Sequence, residues 1–204
     1  MSPLQRIAMG LVIVLVPANF PHDPRPTWEF YDALPDPVGW VLVLMGLRAL
    51  RHHLDVDMVT WLGWTAFAVS VPLWFPQVNH LLAPEHNDSI EVSFQWFLSL
   101  PQTVFSLALA RTIGREAELR RPRDRLVAGR FGLLTWAFGA LAVLPVVAYG
   151  GGVDALVDPT LVGIGLVNVV FVYYLFRVHR REWLGGPGPL EVRPATQKDR
   201  PPSQ

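Results

Sequence analysis

Hydrophobic residues in this chain occur in six long runs separated by short polar segments. The runs cover residues 7–20, 34–50, 59–78, 90–110, 131–149 and 161–178. A helix needs about 20 residues to cross roughly 30 Å of hydrocarbon, and the last four runs meet or approach that length. The first two reach it when Leu4 and the aromatic residues Trp28, Phe30 and Tyr31 are included. The pattern predicts an all-α, polytopic membrane bundle with six transmembrane helices arranged as three hairpins.

Positive charge falls almost entirely on one face of this six-helix arrangement. Of the 17 Lys and Arg residues, only Arg25 falls on the other face. The remainder are Arg6, Arg48, Arg51, Arg111, Arg115, Arg120, Arg121, Arg123, Arg125, Arg130, Arg177, Arg180, Arg181, Arg193, Lys198 and Arg200. Because cationic loops resist translocation, we expect both termini to be cytoplasmic and the protein to lie in the plasma (inner) membrane. The expected partners are membrane lipids, including anionic lipid at the basic inner face.

Composition supports a membrane class and excludes others. Hydrophobic residues make up 51% of the chain and charged residues 17%, against roughly a quarter in an average soluble domain. The formal net charge is +0, so no overall field attracts nucleic acid. There is no Cys, which excludes disulfides and thiolate catalysis. We expect one six-span membrane domain over residues 1–182, a disordered cytoplasmic tail over residues 183–204, and no cofactor.

Two of the predicted helices begin alike, with an aspartate followed by a proline. Asp36 and Pro37 open one, and Asp158 and Pro159 open another. An aspartate can cap the free N–H groups of a helix, and proline is tolerated in the first turn, so these carboxylates are predicted caps. The segment LPDPVGWVLVLMGL, about fourteen residues, resembles the Asp-x-x-Gly-aromatic helix start of several uncharacterised small multi-pass bacterial membrane proteins. The resemblance implies a membrane helix and no particular activity.

Three uncharged polar residues fall near the middle of predicted membrane helices. Gln102 and Thr103 follow Pro101, and Asn168 lies about 14 Å from the start of the sixth run by helical rise. One interpretation is hydrogen bonding between helices. The other is a polar lining for a small solute, in which Pro101 frees a backbone carbonyl for Thr103, Ser106, water or a ligand.

A second polar group lies in the segment after the third run. His80, His86 and Glu91 carry imidazole and carboxylate groups, which are ordinary zinc ligands. Their spacing matches no metalloprotease or structural-zinc pattern. We keep a metal site there as a weak hypothesis beside the interpretation that these side chains are simply solvated.

Small residues are predicted at helix contacts, because lipid provides no hydrophobic drive for helix association. The candidates are Gly39 and Gly46, Gly132, Thr135 and Gly139, and Gly163 with Gly165. These contacts can lie within one chain or between two copies, so a homo-oligomer or another membrane-protein partner stays open.

Between the fourth and fifth runs, the segment ARTIGREAELRRPRDRLVAGR carries seven arginines against Glu116, Glu118 and Asp124. We expect it to continue the fourth helix until Pro122 and to form a basic collar against anionic lipid. Docking of an acidic partner is the alternative.

The sequence contains no motif that identifies an activity. No ionisable residue falls at the middle of a predicted span, which argues against ion-coupled transport. The favoured hypothesis is a non-catalytic accessory or scaffold component of the membrane. The alternative is a small permease or solute-binding membrane protein with a polar site around Gln102 and Asn168; an enzyme using His80 and Glu91 is a more distant option. Cleavage of the first run as a signal peptide also stays open.

Overall fold

The computed structural model describes residues 1–16, 34–75, 78 and 89–188. Over these residues the regular structure is entirely helical. The six α-helices are α1 (Pro3–Leu15), α2 (Asp36–Leu50), α3 (Asp57–Leu73), α4 (Ser89–Leu119), α5 (Arg125–Pro145) and α6 (Val157–Val178). A π-helical turn, Val146–Gly150, follows α5, and 3-10 turns cover Asp154–Leu156 and Glu182–Leu184. The predicted all-α class is confirmed for this part of the chain.

The six helices form a closed ring. Each helix packs against its neighbours in the chain, and α6 packs against α1. The helices alternate in direction: a Cβ on Gly46, late in α2, would lie 2.6 Å from Ile7 Cγ1, early in α1. We call the end at which α1, α3 and α5 begin the arginine end, because Arg6, Arg51 and Arg181 lie there.

Two helical segments are long and apolar enough to cross a membrane. They are Arg125–Ala148, which includes α5, and Val157–Val178, which is α6; each has a mean hydropathy of 2.0. At about 1.5 Å per residue each is 33 Å or longer. The helix α1 is apolar but has only 13 residues. The prediction of six membrane spans therefore stays a prediction.

One apolar cluster fills the centre of the ring and draws on all six helices. Its largest members are fully buried aromatic side chains: Trp40, Phe105, Phe131, Phe138 and Phe171. Trp40 packs edge to face on Phe105 with ring centroids 5.1 Å apart. The indole of Trp40 therefore packs across the bundle, from α2 to α4.

The helices α1 and α2 meet backbone to backbone at glycines. A Cβ on Gly10 would lie 2.4 Å from the carbonyl oxygen of Gly39, and one on Gly39 would lie 2.6 Å from that of Gly10. On Gly46 it would lie 2.9 Å from the carbonyl oxygen of Pro3. These separations are too short for any side chain. The prediction that Gly39 and Gly46 lie at a helix contact is confirmed, and Gly10 of α1 is the partner of Gly39.

The other predicted glycine positions are less tightly packed within the chain. A Cβ on Gly132 or Gly165 would meet no atom within 4 Å, and on Gly139 the nearest would be Leu107 at 3.8 Å. A Cβ on Gly163 would be in ordinary contact with Leu141 at 3.5 Å. Within this chain these positions have room for a side chain, so a contact there with a second copy or with another protein stays a prediction.

The two Asp-Pro segments lie further into their helices than predicted, by one position for Asp36 and by two for Asp158. Pro35 is the N-cap of α2 and Leu156 is the N-cap of α6, which places Asp36 and Asp158 in the first turns. A carboxylate there still favours the positive end of the helix dipole. Capping by a side chain is found instead at Asp124, which accepts a hydrogen bond from Val127 N at 3.3 Å.

The segment after α6 returns to the start of the chain. A Cβ on Gly185 would lie 2.8 Å from His53 Nε2 and 3.0 Å from Pro3 Cγ, and Leu184 is fully buried. Residues 182–188 thus continue the fold past the predicted domain boundary at residue 182. Residues 189–204 lie outside the described residues, so a disordered tail stays a prediction.

We expect Gly10→Ala and Gly39→Ala each to destabilise the protein by about 1–3 kcal/mol, since the added methyl group meets a backbone oxygen that cannot rotate away. Thermal unfolding of the purified protein in detergent measures the effect. Gly132→Ala and Gly165→Ala are matched controls with open surroundings, and we expect these to be neutral or stabilising by about 0.5–1 kcal/mol. Equal unfolding midpoints for all four variants would contradict the close contact between α1 and α2 at Gly10 and Gly39.

We expect Asp124→Ala to cost about 1–2 kcal/mol of stability through loss of the α5 cap. Its side chain is only 15% exposed and also pairs with Arg181, at 3.1 Å from Nε to Oδ2. Glu118→Ala is the control, because Glu118 pairs with Arg123 with both side chains 55% exposed, and such pairs contribute below about 1 kcal/mol. The measurement is the unfolding midpoint, and a larger loss for Glu118→Ala would overturn this ranking.

Candidate functional site

A cavity of about 240 Å³ lies inside the ring, toward the end opposite the arginine end. It is enclosed by α1, α4, α5 and α6, which contribute side chains from the last turn of α1 and α5 and the early turns of α4 and α6. The lining residues are Leu15, Trp96, Ser99, Gln102, Thr103, Phe138, Leu141, Pro145, Ile164 and Asn168.

The three predicted ligand-binding residues come together in this cavity. Gln102 and Thr103 reach it from α4, and Asn168 reaches it from α6. Asn168 Nδ2 donates a hydrogen bond to the carbonyl oxygen of Ile164 at 2.9 Å, and Thr103 Oγ1 donates to that of Ser99 at 3.3 Å. Both bonds stay within one helix. The amide oxygen of Asn168 and the hydroxyl oxygen of Thr103 therefore retain acceptor capacity.

Two prolines border the cavity and alter the backbone around it. Pro101 lies inside α4, next to Gln102, and Pro145 ends α5 before the π-helical turn. Since proline has no N–H, the carbonyls four residues earlier, at Phe97 and Leu141, lose their helical donors. Thr103 does not replace the donor at Phe97, because its hydroxyl donates to Ser99. Backbone acceptors are thus available beside the polar side chains.

The sequence pattern does not identify Trp96 and Ser99 as cavity residues. The Nε1 atom of Trp96 is buried and has no hydrogen-bond acceptor among the described residues. A buried donor without a partner costs about 1–3 kcal/mol, so an acceptor supplied by water or a ligand would be stabilised there. Ser99 Oγ donates to the carbonyl oxygen of Trp96 at 2.7 Å. An aromatic residue and a serine near a helix end are common, so neither residue stands out in the sequence.

The lining combines uncharged polar groups with apolar walls. None of its residues carries a formal charge, and Phe138, Leu141 and Ile164 supply hydrocarbon surface. For scale, an engineered apolar cavity of about 150 Å³ in another protein holds benzene, whereas drug-sized ligands need roughly 300–1,000 Å³. The cavity therefore suits a small neutral molecule that has hydrogen-bonding groups.

The three residues of the predicted metal site lie wholly or partly outside the described residues. His80 and His86 lie outside the described residues, and Glu91 lies at the start of α4, where only the backbone is described. Within the described ranges no group of three His, Cys, Asp or Glu side chains comes together in a geometry suited to a metal ion.

No family model, no curated protein and no solved structure matches this chain.

Proposed function

We propose that the chain is a six-span membrane protein that binds a small uncharged polar solute in the cavity between α1, α4, α5 and α6. The observation that carries this proposal is the convergence of Gln102, Thr103 and Asn168 on one cavity. Amide and hydroxyl groups donate and accept hydrogen bonds without any charge, which favours neutral ligands. The unpartnered Nε1 of Trp96 supports a ligand with an acceptor atom.

The exposed surface of the bundle supports membrane insertion beyond the two long apolar helices. Large apolar side chains are exposed on all six helices; among the most exposed are Met58 and Trp61 on α3, Trp136 on α5 and Val162 on α6, at 69–81%. In the apolar windows of α5 and α6 only 33% and 22% of residues are buried. A core helix of a water-soluble protein would be mostly buried, and such a continuous apolar surface favours lipid.

The charge distribution supports an orientation with the arginine end in the cytoplasm. The described start of the chain and residues 182–188 lie at that end, beside Arg51, Arg120 and Arg181. Cationic segments are retained on the cytoplasmic side of the inner membrane. We infer that the solute cavity faces the outer half of the bilayer and that both termini are cytoplasmic.

The apolar core favours binding over conduction. Between the cavity and the arginine end, Phe105, Phe131 and Phe171 are fully buried, and they supply no polar path through the bundle. The lack of a polar path through this core also favours a second candidate function. In that function the chain is a non-catalytic accessory or scaffold component that acts through a membrane-protein partner or a second copy of itself. In that case the cavity would hold only water.

We expect the protein to require detergent for extraction, because apolar side chains cover its surface. We also expect reporter tags at both termini to be cytoplasmic, because segments rich in arginine are retained on that side of the membrane. Fusion of alkaline phosphatase and of a fluorescent protein to each end measures this. Extraction into aqueous buffer without detergent would contradict membrane insertion, and tags in opposite compartments would contradict an even number of spans.

We expect a small neutral amide or polyol from a solute panel to raise the thermal unfolding midpoint in a concentration-dependent way. Gln102→Leu and Asn168→Leu should each weaken the apparent affinity about tenfold, since each removes a hydrogen-bonding group from the lining of the cavity. Calorimetric or fluorescence-monitored unfolding in detergent gives the affinities.

A matched threonine pair provides the control for this measurement. Thr103→Val removes a hydroxyl inside the cavity, whereas Thr65→Val removes one on α3 that likewise donates within its own helix, to Trp61 O at 3.1 Å. Only Thr103→Val should weaken solute binding. Equal effects from both variants would contradict the site. A panel without any stabilising solute, together with a stoichiometric partner on co-purification, would favour the accessory function instead.

A further inference from the structure

A large cleft at the arginine end lies between the turn that joins α4 to α5 and the segment that follows α6. Its volume is about 750 Å³, within the range of ligand pockets and far above what one inorganic ion occupies. Seven of its lining residues are arginines, drawn from residues 120–125 and 177–181, and its lining carboxylates are Asp124 and Glu182. The cleft therefore has a strong positive charge.

Ion pairs neutralise only part of that charge. Three arginines have carboxylate partners at 2.9–3.1 Å: Arg120 with Glu116, Arg123 with Glu118 and Arg181 with Asp124. Arg121 and Arg125 are exposed and make no ion pair with any residue that the structure describes. Arg125 also begins α5, where a cation opposes the helix dipole. The carboxylate of Asp124, the N-cap of α5, also lies at this helix start, but it pairs with Arg181.

Other arginines of the cleft are held in place by neutral groups. Arg177 Nη1 donates to Tyr173 Oη at 2.6 Å, and Arg180 Nε donates to the carbonyl oxygen of Gly188 at 2.9 Å. Neutral acceptors orient a guanidinium without cancelling its charge, and each guanidinium has further N–H groups to offer. The buried Nε of Arg120 has no acceptor within the described part of the chain. Arg177 and Arg180 are therefore oriented donors that have no carboxylate partner among the described residues, whereas Arg120 keeps its ion pair with Glu116.

An apolar stripe leads from this cleft along α6. Val162, Leu166, Val169 and Tyr173 are 52–69% exposed and recur every three or four residues, so they lie on one face that ends at Arg177. A soluble phosphate compound would use the cleft but not the stripe. A phospholipid would use both, with its phosphate among the arginines and an acyl chain along α6.

We propose that this cleft is a binding site for the phosphate headgroup of an anionic phospholipid. Guanidinium groups match phosphate oxygens in geometry and charge, and basic pockets on the cytoplasmic side of membrane helices are suited to such headgroups. The site rests on the membrane placement proposed above and is independent of the solute cavity at the opposite end.

The test uses the full chain in detergent and measures the rise in unfolding midpoint with added phosphatidylglycerol, cardiolipin, phosphatidylcholine or inorganic phosphate. We expect stabilisation by the two anionic lipids and little by the zwitterionic lipid or by phosphate alone. The double variant Arg121→Gln with Arg125→Gln should weaken the anionic-lipid effect roughly thirtyfold in apparent affinity, because two unpaired cations are lost.

Arg48→Gln with Arg51→Gln is the matched control, since these exposed arginines lie at the same end but not in the lining of the cleft. It should leave lipid affinity within about threefold of the unmodified chain. Equal losses in both double variants would overturn the site in favour of a diffuse basic face. Stabilisation by inorganic phosphate equal to that by lipid would overturn the lipid as ligand. A chain that needs no detergent would instead contradict the membrane placement itself.

Discussion

Charged side chains are excluded from the middle of every described helix, and much of the architecture follows from that constraint. Neither Met58–Phe75 nor Phe131–Val153 contains Asp, Glu, Lys or Arg. Burying a charge in hydrocarbon costs at least about 2.5 kcal/mol, so packing and uncharged polar groups must hold the middle of the bundle. Close packing is provided by the backbone contact between α1 and α2 at Gly10 and Gly39. The uncharged polar groups are the amides and hydroxyls on α4 and α6, which line the cavity without adding a charge.

The hydrophobic runs predicted the existence of all six helices because each run is long and bounded by charge. They did not predict the helix ends. The fifth run begins at Phe131, whereas α5 begins at Arg125, since capping by Asp124 sets the start and apolar content does not. The continuation of α4 through a charged segment to Leu119 was expected from the position of Pro122 and not from the apolar run. Helix boundaries depend on hydrogen bonds at the termini, which hydropathy does not report.

The candidate site was predictable only in part, for a related reason. Gln102 and Asn168 stand out because an amide in an apolar run needs a partner. Ser99 and Trp96 carry no such signal, because both residue types are ordinary near helix ends. The glycine contacts were likewise predictable only in part. Gly39 packs against α1 as predicted, whereas Gly165 faces open space. On a helix that is apolar all round, the sequence does not indicate which face meets a neighbour.

The helices α4 and α5 pack more closely near the arginine end than beside the solute cavity. The two helices approach closely near the arginine end, where a Cβ on Gly114 would lie 3.4 Å from Gly132 N. Two turns further along, a Cβ on Gly139 would meet only Leu107, at 3.8 Å. Beyond that point Pro101 and Pro145 interrupt the helical hydrogen bonds, and prolines bend helices. The space beyond Gly139 is lined by the polar residues that follow Pro101 on α4 and by side chains of α1, α5 and α6.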